Sequence, residues 1–573
     1  MFLIAPNSFS CFPTTNLSFE KSNSQNPRVS FVQKYSNNKF RSSRKMWELG
    51  VNFNGYPYFT SPRHPLESEL SLGAATQVDS NGVGIENFFQ GKNILITGAT
   101  GLVGKALVEK LLRSTSVDKI YVLIKADDNE GAADRLSKEI MYSNLFETLQ
   151  EKYGSSYKEF AREKLIPVVG NICEPNLGMD TKSAQTLMDN VDVIIASAAS
   201  TTLNARYDEL INENTIAPQR LLRFAKRCKN LKVFVHMSTA YVNGRREGVI
   251  YETPWIMGEN ARKVDEEMPS SAFPRLDLSD EINLATKTCM GLSDHDATKA
   301  LRRLGQERAT FYGWYNAYHL TKAMGEMVLE ESRGDVPVLI IRPSVIEGSY
   351  KDPIPGWIQG NRMYDPVIIS YGKGLLPGYL ADPEAHVDIV PVDMVVNTTV
   401  AAAAKHGIIS KPGLNVYHAT TDFVNPLQYS DFFNHMHEHF SKYPLTKSKA
   451  VNKMEFFDEF NNFSKHIRQE LSEQSGMSHI IGLNGNSPQS RLQKQYKAKV
   501  MYAEQLCKMY EFAGFFKARF HSGNTRKLLE EMSEEERRNF EVDATKIDWR
   551  KYLVEAHIPG LRKHVLHESK ISV

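Results

Sequence analysis

"GKNILITGATGLVGKALVEKLLRSTSVDKIYVLIKADD", residues 91–128, reads as strand, glycine turn, helix and second strand. "NILIT" is a short apolar run, "GKALVEKLL" carries apolar residues at helical spacing, and "KIYVLI" is apolar again. Gly98, Gly101 and Gly104 punctuate the first turn. Without Cβ atoms they let the chain turn sharply and approach a pyrophosphate, whose charge is favoured at a helix N-terminus. Three glycines alone are weak evidence, but set between a strand and a helix they specify dinucleotide binding. Gly98, Thr100, Gly101, Leu102, Val103 and Gly104 are therefore the candidate pyrophosphate contacts. The residue ending the second strand chooses the cofactor, an acid holding ribose hydroxyls and a base accommodating a 2′-phosphate. Here it is Lys125, which favours NADPH; Asp127 and Asp128 follow closely and compete as ribose partners.

The rhythm continues through "KLIPVVGN" (164–171), "VDVIIASAAS" (191–200), "LKVFVHMSTAYVNG" (231–244) and "VPVLIIRPSVI" (336–346). Near-continuous apolar runs belong to parallel strands covered on both faces. The expectation is an α/β fold, a Rossmann-like doubly wound parallel sheet. Such sheets bind ligands beyond the carboxyl ends of their strands. Ala198, Ser238, Thr239, Pro343 and Ser344 fall on that side.

"AYHLTKAMGEMVLEE" (317–331) reads as a helix, and places Tyr318 and Lys322 four residues apart on one face. Tyr-x-x-x-Lys also occurs at Tyr35, Tyr121 and Tyr443, in a leader, on a strand and before a proline, so spacing alone decides nothing. Beside a dinucleotide site the pair acquires a chemistry. A free phenol has a pKa of about 10, and a nearby ammonium lowers it while also binding the nicotinamide ribose. Thr239 or Ser238 can donate to a developing oxyanion.

The chain has 573 residues, a net charge of +2 and five scattered cysteines, Cys11, Cys173, Cys228, Cys289 and Cys507. That balance argues against nucleic acid as partner, and the cysteines against a disulfide framework or zinc site. No apolar run is long enough to span a bilayer; peripheral membrane contact stays open. Residues 1–45 hold nine serines, seven Lys/Arg and one acid, Glu20, the composition of an organelle transit peptide rather than a secretory signal. Residues 46–90 read as a linker or arm, 91–440 as the NADP-binding Rossmann domain, 441–500 as a connector and 501–573 as a helical C-terminal domain.

With glycines 98, 101 and 104, "MSTAYVNG" and Tyr318–Lys322, the chain resembles the extended short-chain dehydrogenase/reductases. More narrowly it is similar to the alcohol-forming fatty acyl reductases, through "ERATFYGWYNAYHLTKAMGE", "IRPSVIEGSYKDPIPGW", "VPVDMVVN" and "WRKYLVEAHIPGLRKHVL". The basic leader points to the plant plastid, male-sterility branch linked with pollen-wall lipid. The resemblance implies a Rossmann domain with a small helical C-terminal domain. It also implies two NADPH consumed in reducing a long-chain acyl-CoA or acyl-carrier-protein thioester to a primary alcohol. Residue by residue it makes Tyr318 the catalytic acid, Lys322 its partner and ribose ligand, and Thr239 the hydroxyl member, with Ser238 the neighbouring alternative. Asn171 stands where many relatives carry an aspartate near the adenine, and Asn214 is kept although Ala217–Pro218 replace a common Gly-Thr.

Other readings remain open. The stretch between Thr239 and Tyr318, including "GENARKVDEEMPSS", is either a cap on the substrate site or a solvated excursion. Aromatics in "YGWYNAY" and "PGWIQGNRMYDP" either line an acyl channel or pack. The helix "AEQLCKMYEFAGFF" faces core, acyl chain or membrane. The basic run "QRLLRFAKRCKNLK" (219–232) is either solvated or a docking face for an acidic carrier or coenzyme A phosphates. Two alternatives to the reductase are a sugar-nucleotide or steroid/flavonoid dehydrogenase on the same scaffold, and a non-catalytic NADPH-binding module.

Overall fold

A computed structural model describes residues 82–262, 274–445, 451–475 and 488–568. The leader and most of the expected arm lie outside these residues. Seven parallel strands form one sheet: β1 Asn93–Thr97, β2 Lys119–Ile124, β3 Leu165–Val169, β4 Val193–Ala196, β5 Val233–Met237, β6 Pro337–Pro343 and β7 Gly413–Ala419. Their order is β7-β6-β5-β4-β1-β2-β3, so the chain reverses direction between β1 and β4, where such sheets bind ligands. Alternation explains the apolar runs: Ile94 and Ile96 face one core, while Leu95 faces the other. Six strands stand where the sequence placed them. The seventh, "GLNVYHA", was not expected, because an edge strand interrupted by Asn415 and His418 lacks a continuous apolar run.

Helices cover both faces. On one side lie α1 (Ile85–Phe89), α2 (Leu102–Ser114) and the alanine-rich α5 (Val392–Ile409). On the other lie α3 (Ala217–Ala225) and α4 (Ala317–Ser332). The C-terminal part is helical, led by α6 (Pro488–Gly514), and is woven into the first part rather than appended. Strand Ala518–Phe520 pairs with Gly248–Ile250, and Glu455–Phe457 pairs with Gly378–Leu380. The Glu536 carboxylate accepts from the backbone N–H groups of Val83, Gly84 and Ile85, tying the start of the described chain to its end.

Two expected boundaries move. Residues 82–90 are not a loose arm: Ile85 and Phe89 are fully buried. Nor is 441–500 a polar connector throughout. Helix Phe460–Gln474 buries Phe463, Ile467 and Leu471, three residues spaced by four on an otherwise polar surface. The boundary at 501 cuts α6. Among the described residues, no helix is long and apolar enough to cross a membrane.

Candidate active site

The glycine turn closes as the motif requires. Gly98 sits at φ +73, where a Cβ would stand 2.7 Å from the Ala198 nitrogen, and a Cβ on Gly104 would overlap the Gly98 carbonyl. Larger residues would push β1, the end of β4 and α2 apart. Gly101 N-caps α2 without a side-chain cap, so the first-turn N–H groups of Leu102 and Val103 are left for an anion. This cradle fits a dinucleotide diphosphate.

Around it the expected contacts divide. Lys125 ends β2 exposed, and its carbonyl accepts from Arg135. Asp128 is occupied as a helix cap for Gly131 N–H, which removes one competitor for the ribose. Asn171 braces the turn that follows β3. Its Oδ1 accepts from Cys173 N–H and its Nδ2 donates to Glu174, so the side chain holds its own turn. Asn214 is a brace: it exchanges two hydrogen bonds with the Ser200 backbone and donates to Thr321 on α4.

Asn316 caps α4 by accepting from His319 N–H, which sets the helix to begin one residue before Tyr318. Tyr318 is 8% exposed, and among the described residues its hydroxyl makes no hydrogen bond. The Lys322 ammonium donates to the Met237 carbonyl at 2.6 Å, at the end of β5. This alters the expected tuning. Burial pushes the Tyr318 phenol up rather than Lys322 drawing it down. Burial also holds Lys322 down to about 8, with Glu326 pulling the other way.

The two hydroxyls at the end of β5 point to different tasks. Ser238 Oγ donates to Glu326 Oε1 at 2.5 Å, and Glu326 is clamped by Arg342 through both oxygens at 3.0 and 2.5 Å. Thr239 Oγ1 accepts from Tyr241 N–H and contacts the Pro343 carbonyl at 3.5 Å. Ser238 thus serves a buried ion pair beside α4, while Thr239 stays at the strand ends with Pro343 and Ser344. Ser344 is buried there beside the Asp388 carboxyl.

An aromatic wall stands next to Tyr318. Tyr241 lies against His319, Phe512, Phe516 and Phe520, with ring centroids 5.4–6.2 Å apart, and Tyr315 meets Phe512 at 5.0 Å. The "AEQLCKMYEFAGFF" helix therefore brings Phe512 of its last turn to this wall, and Phe516 joins from just beyond the helix end. His319 is buried, its Nδ1 unpartnered and its pKa lowered by burial to about 3, so it stands neutral. In "YGWYNAY", Trp314 simply packs, donating to the Val242 carbonyl. In "PGWIQGNRMYDP", Trp357 and Tyr364 are core, whereas Gln359 docks on the glycine turn.

Other candidates fall away from this site. The basic run 219–232 leads into the start of β5, and Lys229 pairs with Asp189, so it ends at the opposite edge of the sheet. Cys228 is there too, its thiol pushed up to about 12 by burial. In the inserted stretch, helices Leu278–Cys289 and Asp294–Tyr312 form their own core with Trp255 and Trp314 against α4; residues 263–271 of its charged segment lie outside the described residues. Glu347, Asp365 and His557 lie close enough to share a cation and are fully buried. His557 Nδ1, however, accepts from Gly348 N–H, so Nε2 carries the ring proton and faces the carboxyls. Asp365 and burial hold Glu347 well above the usual carboxylate range, which makes this a proton-sharing cluster joining the two parts.

Family models for "Male sterility protein" match residues 96–399 and 484–568. The chain belongs to this family. It is 45% identical to the chloroplastic fatty acyl-CoA reductase 2 of Arabidopsis thaliana, over 86% of this chain and 81% of that one. It is 33% identical to the alcohol-forming fatty acyl-CoA reductase of Simmondsia chinensis, over 84% of this chain and 99% of the other. Among solved structures, the terminal R domain of the myxalamid PKS-NRPS pathway shares the fold, with a TM-score of 0.52 and 17% identity over 82% of this chain and 91% of that domain. The glycine turn after β1 and the Lys322 ammonium at the end of β5 both stand at the carboxyl ends of the strands, where such sheets bind ligands.

Proposed function

We propose that this protein reduces a long-chain acyl thioester to a primary alcohol in two rounds, with NADPH as reductant. The observation that carries the reading is a buried Tyr318, its hydroxyl without a hydrogen bond among the described residues, beside a wall of aromatic rings and on a helix whose Lys322 reaches the strand ends. NADPH, when bound, supplies the hydride that each round adds to the carbonyl carbon. Tyr318 and Thr239 donate hydrogen bonds to the carbonyl oxygen as it becomes an alkoxide. Lys322, anchored on the Met237 carbonyl at the strand ends, would hold the ribose. In the first round the alkoxide collapses, the C–S bond breaks and the thiolate takes up a proton. In the second, Tyr318 gives its proton to the alkoxide and recovers one from solvent. Tyr241, His319, Phe512 and Phe516 exclude water and offer an apolar surface to the acyl chain.

The named relatives act on acyl-CoA, and the same chemistry serves an acyl-carrier protein. Incubating the protein with NADPH and palmitoyl thioesters of coenzyme A and of acyl-carrier protein, then measuring hexadecanol, tests both. Hexadecanol with either supports the reading; NADPH binding with no alcohol or aldehyde from either contradicts it. The Ser-rich leader and the chloroplastic relative support a plastid address. Import of a fluorescent fusion of residues 1–45 into isolated plastids tests that, and a fusion left outside refutes it.

A further inference from the structure

The loop 359–362 lies across the glycine turn. Gln359 Nε2 donates to the Thr100 carbonyl at 2.9 Å, and Arg362 Nε folds back onto the Gln359 carbonyl at 2.7 Å. Beside it, one residue past Gly104, Lys105 rises from the first turns of α2 and is only 6% exposed. Among the described residues the Lys105 ammonium has neither hydrogen bond nor ion pair, and no carboxylate forms an ion pair with Arg362. Burial depresses both cations, and Arg362 pushes Lys105 further down, to about 8; Asp365, whose Oδ2 accepts from the Arg362 backbone N–H, draws Arg362 back up without forming an ion pair with its guanidinium. Glu139, which draws Lys105 back up, is already held at both oxygens by Arg135. Two amide oxygens of the same loop, Gln359 Oε1 and Asn361 Oδ1, are buried without partners and suit hydroxyl donors. Two under-neutralised cations beside an uncapped helix start, under a loop rich in spare acceptors, make a preformed site for a ribosyl diphosphate.

We propose that Arg362 and Lys105 clamp the diphosphate of the dinucleotide from above, opposite the backbone N–H groups of the glycine turn. Resting on the dinucleotide reading above, the clamp assigns the two phosphates of the cofactor to different residues than its 2′-phosphate. A diphosphate is common to NADPH and NADH, and coenzyme A carries one too. Binding to the full-length protein without acyl substrate, measured by calorimetry, separates these sources. Arg362→Gln should weaken NADPH and NADH by the same factor, about tenfold or more for a charged hydrogen bond. It should leave coenzyme A and 2′-AMP unchanged, and Arg362→Lys should recover part of the loss. Lys125→Asp, by contrast, should weaken NADPH and 2′-AMP and spare NADH. Lys105→Gln breaks no protein hydrogen bond, so it carries the same test if Arg362→Gln does not fold. Wild-type NADPH affinity in a folded variant, loss of NADPH alone, or loss of coenzyme A instead would each overturn the clamp. Failure of alcohol formation with intact clamp behaviour would count only against the thioester reading.

Discussion

Ser238 and Thr239 offer a test in which neighbouring hydroxyls should fail in opposite ways. Ser238 donates to Glu326, which is fully buried and shared with Arg342. Ser238→Ala removes one charge-assisted hydrogen bond but leaves both carboxylate oxygens on Arg342, so the ion pair survives. The loss should be about 1.5–3 kcal/mol of stability, the usual size for a hydrogen bond to a charged group. Turnover should change by less than about threefold, since the Ser238 hydroxyl is engaged by Glu326 rather than free for a substrate oxygen. Thr239→Ala removes a hydroxyl whose protein contacts are long, 3.3 and 3.5 Å, so its cost in stability should be within about 1 kcal/mol. If Thr239 donates to the oxyanion, turnover should fall about 10²–10³-fold. Urea unfolding and NADPH consumption on both variants decide the matter. A stable but inactive Ser238→Ala, with a fully active Thr239→Ala, would show that the hydroxyls have been assigned in reverse.

Two predictions concern pH. Lys322 must be an ammonium to serve the ribose and Tyr318, and it is so only below its folded value of about 8. The kcat/KM for NADPH, which reports the free enzyme, should therefore fall as pH rises through about 8; a profile flat to pH 10 would contradict this. Glu347 is held above the usual carboxylate range, so the folded state keeps a proton that the unfolded chain releases above about 4.5. Folded stability from this group is thus lost as pH rises beyond that value. Glu347→Gln should flatten the fall in unfolding free energy between pH 5 and 8, although Asp388 and Glu252, each raised to about 7, keep some of it. An unchanged slope would show that the Glu347 proton is not held.

What could be read from the residues follows burial. Strands covered on both faces announce themselves, and the glycine turn does so because each position has a steric reason. The hydrogen bonds of Asn171 to Cys173 and Glu174 were not legible, because position in a motif says nothing about which partners an amide finds. Helix Phe460–Gln474 was hidden because only three of its residues face inward. The effect of Lys322 on Tyr318 was misjudged for a different reason: spacing places two groups on one face, but burial sets their proton affinities, with Glu326 acting against it at Lys322. The proposed clamp of Arg362 and Lys105 joins segments far apart in the chain, and no local pattern marks it.

The central claim is that Tyr318 donates the proton. Tyr318→Phe keeps the ring against His319 and removes a hydroxyl that bonds to no described residue, so folding and NADPH affinity should match the wild type. Single-turnover alcohol formation from palmitoyl-CoA should fall about 10²–10⁴-fold, the usual contribution of general acid catalysis. Tyr443→Phe, the same change at a Tyr-x-x-x-Lys outside the site, should leave it unchanged. Alcohol formed at the wild-type rate by a folded, NADPH-binding Tyr318→Phe enzyme would contradict the mechanism.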